Sequence, residues 1–116
     1  MIVMAHKTKN IKNRYLHWEM MRETCQSFGA VLWDITNNDV PNGKIVSLRH
    51  DHGIPVSEYI WPKNNNIILM VGCDDSNQND YLGFGEAIKI PTPVDYFLWS
   101  VVALGIVLYD YESKKN

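Results

Sequence analysis

The feature that most constrains the fold is the segment over residues 66–71, Asn66-Ile67-Ile68-Leu69-Met70-Val71, which is apolar without interruption from Ile67 and breaks at Gly72. A strand with one face in water alternates apolar and polar residues, whereas a strand covered on both faces is apolar throughout. We therefore predict a central strand of a parallel sheet at this position. Because parallel strands are joined by crossovers, helices should pack on that sheet.

The chain before this strand contains a short strand candidate and a helix candidate. Ile2-Val3-Met4 can form a short buried strand. Between Asn13 and Phe28, apolar residues recur at helical spacing, and Gly29 is placed to end the helix in the left-handed conformation. The apolar positions of this helix are Trp18, Met21, Cys25 and Phe28. We expect Trp18 to belong to the core.

Further strands are predicted at residues 30–35, 44–49 and 87–90, and a helical turn at residues 55–59 that Pro62 prevents from continuing. Residues 36–43 are dense in turn formers and predict a loop. The resulting order is β-α-β-β-(α)-β-β-α. It predicts one α/β domain, residues 1–116, with a mostly parallel sheet.

A second helix is expected after Pro91, with Thr92 as its N-cap, Pro93 at its first position, Asp95 in its first turn and an end near Tyr111. Its body, residues 98–109, is apolar on all sides. A helix without a polar face is buried all round. We therefore expect its own sheet and a second copy of the chain to cover it.

Composition restricts the class of protein. The chain has 116 residues, a formal charge of −2 and only two cysteines, so we expect a reduced, cytoplasmic protein without a disulfide framework, signal peptide or membrane span. The charge argues against a strongly basic nucleic-acid binder. A local basic run at residues 6–14 leaves RNA open, although such runs are more often solvated arms.

Three segments follow predicted strands or open the last helix: Gly72 to Asp75, Ile90 to Thr92, and Phe97 to Trp99. Ligands of open parallel sheets bind at the carboxyl ends of the strands, where loops carry free backbone groups. The sequence therefore predicts a ligand site formed by these three segments together.

The order of these segments resembles the SpoU/TrmH branch of the SPOUT RNA methyltransferases. In that family a strand leads into a Gly-x-Glu loop, a second strand ends in Ile-Pro, and a Ser-Leu-Asn segment enters an apolar helix. The resemblance is good over residues 54–111 and weak before them. Its main motifs are Leu69-Met70-Val71-Gly72-Cys73-Asp74-Asp75, then Ala87-Ile88-Lys89-Ile90-Pro91, then Val101-Val102-Ala103-Leu104-Gly105-Ile106-Val107-Leu108-Tyr109.

The resemblance implies a sheet whose C-terminus is threaded into a trefoil knot, a homodimer through the last helix, and transfer of a methyl group from S-adenosylmethionine to a ribose 2′-hydroxyl of tRNA or rRNA. The role of the loop arginine would fall to Arg22. By position, the cofactor would contact Gly72, Asp74, Ile90, Leu98 and Trp99.

The chain departs from the family pattern mainly at the site. The family Glu is Asp74, and the Ser-Leu-Asn triplet is Phe97-Leu98-Trp99, with aromatic residues at both flanking positions. Arg22 lies one residue too far from Phe28. Two functions therefore stay open: an active methyltransferase with an unusual site, and a non-catalytic homodimer of the same fold that binds RNA or a protein.

Two patterns typical of metal sites also occur. His50 and His52 could lie on one face of a strand, as in a zinc site, although no third ligand is near. Residues 75–86 match part of a calcium loop, but the position that needs glycine is Asp80. We expect surface histidines and an acidic loop, and no metal. Trp61 and Trp99 could be either core residues or platforms for RNA bases.

Overall fold

The computed structural model describes residues 1–7, 14–63, 66–72, 85–94 and 98–115. In these residues six strands form one sheet in the order β2-β1-β5-β3-β6-β4, and each neighbouring pair is parallel. The predicted α/β class is confirmed. The elements are β1 (Ile2–Ala5), α1 (Arg14–Ser27), β2 (Val31–Asp34), β3 (Lys44–Leu48), β4 (Ile54–Pro55), a 3₁₀ turn (Val56–Glu58), β5 (Ile67–Val71), β6 (Glu86–Lys89) and α2 (Ser100–Ser113).

Strand β5 lies inside the sheet, between β1 and β3, and all five of its residues are buried. Ile67, Leu69 and Val71 belong to the main core, whereas Ile68 and Met70 belong to a second cluster. Because successive side chains of a strand point to opposite faces, both faces of β5 are covered. The apolar run was therefore interpreted correctly.

Helices α1 and α2 pack against each other and share the main core with the sheet. Trp18, Met21 and Cys25 of α1 are buried there, as their spacing predicts, together with Leu104 and Leu108 of α2. Gly29 ends α1 with φ 70°, in the left-handed region. In the described part of the chain, no helix is long and apolar enough to cross a membrane.

The start of α2 differs from the prediction. The helix begins at Ser100 and ends at Ser113, and residues 91–94 are not helical. The Thr92 hydroxyl donates to the carbonyl oxygen of Val94 at 2.7 Å, so it closes a local turn and does not cap a helix. Asp95, which was expected in the first turn, lies outside the described residues.

Strand β6 is inserted between β3 and β4, although β3 and β4 are neighbours in the sequence. Strand β4 has only two residues and was not predicted as a strand. The fit of β6 against β3 is close. A Cβ atom at Gly85, just before β6, would lie 2.5 Å from the carbonyl carbon of Ile45, and Gly85 has φ 68°. Only glycine is compatible with that position.

Polar contacts fix the start of β6. Glu86 accepts a hydrogen bond from the Tyr59 hydroxyl at 3.0 Å and pairs with the Lys44 ammonium at 3.2 Å. Burial and the bond to Glu86 raise the pKa of Tyr59 to about 12, so its hydroxyl stays a donor over the whole physiological range. These contacts join β6 to the start of β3 and to the segment after the 3₁₀ turn.

Candidate functional site

The carboxyl ends of the parallel strands meet at one edge of the sheet, which we call the carboxyl edge. Gly72 follows β5 there, Ile90 follows β6, and α2 begins nearby at Ser100. The Ser100 hydroxyl is buried and donates to the carbonyl oxygen of Gly72 at 2.9 Å. This bond brings together two of the three predicted segments. Ser100 itself was not among the predicted site residues.

The other predicted residues at this edge differ in exposure. Ile90 is half-buried and packs against the main core, whereas Leu98 is 37% exposed and Trp99 is 67% exposed. Trp99 precedes α2, and its carbonyl oxygen accepts the first helical bond, from Ala103, at 3.0 Å. The Trp99 ring is therefore not part of the core. Its predicted contact with the cofactor stays a prediction.

Arg22 lies on α1 with its side chain 43% exposed and forms an ion pair with Glu19. The hydrogen bond from Arg22 lowers the pKa of the Glu19 carboxyl, and the same bond raises the pKa of Arg22. Helix α1 starts at Arg14, so Arg22 is about 12 Å along it at the rise of an α-helix. The described contacts of Arg22 thus join it to its own helix, and its catalytic role stays a prediction.

Two residues of the proposed pocket cannot be placed. Asp74 and Phe97 lie outside the described residues, as do Cys73, Asp75 and residues 8–13 of the basic run. The predicted contact of Asp74 with the cofactor, the calcium-loop pattern and the basic arm therefore stay at the level of sequence.

The residue that sequence reasoning missed is Arg49, directly after β3. Its backbone N–H donates to the carbonyl oxygen of Ile88 at 2.8 Å, and only 13% of its side chain is exposed. Strands β3 and β5 pair Leu48 with Val71, so the continued register places Arg49 beside Gly72. Arg49 therefore lies between the two segments that carry Gly72 and Ile90. The sequence did contain a signal for this residue, because Arg49 is the last residue of a predicted strand and ligands bind where such strands end.

The guanidinium of Arg49 is only partly paired. Its Nη2 atom lies 3.2 Å from both carboxylate oxygens of Asp51. The Nε atom is buried and has no hydrogen-bond partner. A buried N–H without a partner is rare in folded proteins, because it loses its hydration and gains nothing in return. This atom is the clearest unsatisfied group at the carboxyl edge.

Asp51 also contacts His52, whose Nδ1 lies 3.0 Å from Asp51 Oδ1. Burial raises the pKa of the Asp51 carboxyl, but its own backbone and the charge of Arg49 act more strongly in sum, so the pKa is lowered. Strand β3 ends at Leu48, so the two histidines do not share a strand face, and that part of the zinc interpretation is wrong. The described ranges contain no group of three residues able to hold a metal ion.

A concavity of about 460 Å³ lies away from the carboxyl edge, at the far end of α2, between residues 57–63 and 111–115. Three lysines line it, and one of them, Lys114, donates from Nζ to the carbonyl oxygens of Val56, Ser57 and Tyr59 at 2.8–3.1 Å. The same Nζ pairs with Asp110 at 2.9 Å. The Lys114 ammonium is thus already bonded to groups of its own chain. We interpret this concavity as the place where the end of α2 is attached to the connection that precedes β5.

Comparisons with known proteins add the fold relationship. No family model and no curated protein sequence matches the chain. Among solved structures, it is similar to a Bacillus anthracis protein whose assignment as an RNA methyltransferase is provisional, with a TM-score of 0.70, 13% identity and coverage of 99% of this chain and 94% of that one.

It is also similar to the A. aeolicus TrmH/SpoU tRNA modifying enzyme, with a TM-score of 0.66, 18% identity and coverage of 98% of this chain and 74% of that one. At such low identities the comparisons show the fold. The resemblance noted in the sequence is therefore confirmed for the fold.

Proposed function

We propose that the chain is an RNA methyltransferase of the SpoU/TrmH type, which transfers a methyl group from S-adenosylmethionine to a ribose 2′-hydroxyl of tRNA or rRNA. One observation carries the proposal. In a fold shared with a tRNA modifying enzyme, the carboxyl edge holds Gly72, bonded to the start of α2, and a half-buried arginine, Arg49, whose buried Nε has no partner. That edge is where parallel sheets bind their ligands.

The residues present fit such a cofactor. The unpaired Nε of Arg49 can donate to an anionic group, and the segments around Gly72, Ile90 and Leu98 offer backbone groups and apolar surface. When bound, S-adenosylmethionine supplies an electrophilic methyl group. The protein would hold the ribose hydroxyl in line with it, and positioning of this kind accounts for a large part of such rate enhancements. Arg22 remains our candidate for the arginine that favours the developing alkoxide.

The experiment is a methyl-transfer assay with labelled S-adenosylmethionine and total tRNA, followed by digestion to nucleosides. We expect label in a 2′-O-methylated nucleoside. Arg22→Ala should lower the rate by roughly 10²-fold or more if Arg22 stabilises the developing charge. Glu23→Ala, an exposed change on the same helix, is the control. Label in a methylated base would contradict the ribose assignment. An unchanged rate in Arg22→Ala would refute the role of Arg22.

A second candidate function is a non-catalytic homodimer that binds RNA or a protein. It is favoured by the aromatic residues Phe97 and Trp99, which replace polar ones in the motif, and by the ion pair that occupies Arg22. The same assay separates the two functions. RNA binding by gel shift without any methyl transfer at saturating cofactor would favour the non-catalytic protein.

The homodimer proposal is supported by one face of α2. Trp99, Val102, Ile106 and Tyr109 follow one another at helical spacing, and each is at least 39% exposed. A stripe of this kind is typical of a contact surface. We expect Ile106→Glu to shift the mass measured by light scattering from dimer to monomer, with Gln26→Glu on α1 unchanged. A wild-type monomer at high concentration would contradict the proposal.

We also propose that the C-terminal part of the chain forms a trefoil knot. It is supported by the insertion of β6 between β3 and β4, because residues 49–53 must connect those strands past the end of β6. A Cβ atom at Gly53 would lie 2.8 Å from the backbone of Ala87, so this connection runs directly against β6. A crystal structure would test this proposal: a chain that does not pass through that loop would contradict the knot.

A further inference from the structure

We propose that Arg49 binds the carboxylate of the amino-acid portion of S-adenosylmethionine. The inference rests on the function proposed above and names the group that anchors one end of the cofactor. It assigns no part in the chemical step to Arg49.

Placement is the first argument. The backbone of Arg49 is bonded to Ile88, two residues before Ile90, and its register position is beside Gly72. A ligand that contacts the segments of Gly72 and Ile90 must therefore pass close to Arg49. Arg22, by contrast, lies well down α1 and is paired with Glu19.

The unpaired donor is the second argument. Arg49 has 13% of its side chain exposed, and its buried Nε lacks an acceptor. Guanidinium donors are arranged as a planar fork that suits a carboxylate, and such charge-assisted bonds are the strong ones in proteins. A ligand carboxylate at Nε would satisfy the orphaned N–H. Because Nε is closed to solvent in this state, the side chain must shift slightly when the ligand enters.

The surrounding charges decide which anion fits. Asp51 is half exposed and occupies Nη2, but a guanidinium has five N–H donors, so others stay available. The start of α2, bonded to Gly72 through Ser100, adds the positive end of a helix dipole at the same edge. A single compact carboxylate fits this partly neutralised and enclosed arginine better than an RNA phosphate does.

The test is calorimetric titration with two ligands that differ in the group concerned. S-Adenosylhomocysteine carries the amino-acid portion, whereas 5′-methylthioadenosine lacks it. For Arg49→Gln we expect a 10- to 100-fold loss of affinity for S-adenosylhomocysteine, roughly the effect of one charged hydrogen bond. The affinity for 5′-methylthioadenosine should not change. Glu23→Gln, at an exposed position of α1, should leave both affinities unchanged.

Arg49→Lys is the second variant, in case Arg49→Gln does not fold by circular dichroism. It keeps the charge but loses the planar fork, so we expect a smaller loss that is again confined to S-adenosylhomocysteine.

The outcomes separate this inference from the proposed function. Equal losses for both ligands mean that Arg49 is only structural, and unchanged affinities mean that the carboxylate binds elsewhere. Either result overturns the inference and leaves the function standing. RNA affinity is measured by gel shift at several salt concentrations. If Arg49→Gln lowers only the RNA affinity and the salt dependence of RNA binding, Arg49 binds a phosphate and the inference is again overturned. If wild-type protein binds neither ligand, the function and the inference both fail.

Discussion

Replacing Gly85 by alanine should reduce stability far more than the same replacement at Gly29, although the two glycines have nearly the same φ, 68° and 70°. The left-handed conformation alone disfavours an alanine by about 1–2 kcal/mol. At Gly29 nothing lies within 4 Å of the added Cβ, so this is the whole expected loss.

At Gly85 the added Cβ would also overlap the backbone of the sheet. It would lie 2.5 Å from the Ile45 carbonyl carbon, about 1 Å closer than the optimal contact between carbon atoms. Strand β3 is paired on both sides and cannot yield easily. Overpacking typically costs about 1–3 kcal/mol. The total loss should therefore be about 2–5 kcal/mol, a large share of the stability expected for a domain of this size.

The assay is urea unfolding followed by circular dichroism, with wild type, Gly29→Ala and Gly85→Ala measured side by side. For a slope of about 2 kcal/mol per molar urea, the midpoint should fall by about 0.5–1 M for Gly29→Ala and by about 1–2.5 M for Gly85→Ala. Failure of Gly85→Ala to fold would also agree with the reasoning. Equal midpoints for the two variants would refute it, because they would show that β6 is not seated against β3 as described.

Three further predictions concern single side chains. Ser100→Ala should lower the free energy of unfolding by about 1–2 kcal/mol, measured in urea, because it removes the buried bond to the Gly72 carbonyl; an unchanged value would show that this bond is not formed in solution. Glu86→Gln should lower the free energy of unfolding by less than about 1 kcal/mol at neutral pH, since the Glu86 carboxyl is partly exposed. The bond from Lys44 lowers the pKa of Glu86 in the folded state, so its contribution is present above the unfolded pKa and is lost as pH falls through the folded one. The difference between Glu86→Gln and wild type should therefore vanish in acid, and a constant difference would contradict the assignment. Burial raises the pKa of the Cys25 thiol to about 11, so its labelling by a thiol reagent should be far slower in native than in unfolded protein, in a chain whose other cysteine is serine. Equal labelling rates would mean that α1 does not cover it.

Local patterns were sufficient for much of the fold. The apolar run of β5 predicted a strand covered on both faces, and the spacing of Trp18, Met21 and Cys25 predicted the buried face of α1. These features depend on the period of each element, which the sequence carries directly. The two-residue strand β4 was missed because so short a strand has no period and exists only through its pairing with β6.

The site was predicted less well than the fold, since it depends on contacts between distant residues. Thr92 looked like a helix cap, but its hydroxyl is used within a turn, and α2 begins later. The bond between Ser100 and Gly72 joins residues that are 28 positions apart. Arg49 carried no motif; its place at the end of a predicted strand was visible in the sequence, but its place beside Gly72 follows only from the register of β3 with β5.

The central claim is that the carboxyl edge binds S-adenosylmethionine. The most direct measurement is an amide NMR titration of the assigned protein with S-adenosylhomocysteine. We expect saturable shifts that are largest at Gly72, Ile90 and Ser100, with residues 111–115 at the far end of α2 unaffected. The absence of shifts at millimolar ligand, or shifts confined to residues 57–63 and 111–115, would contradict it.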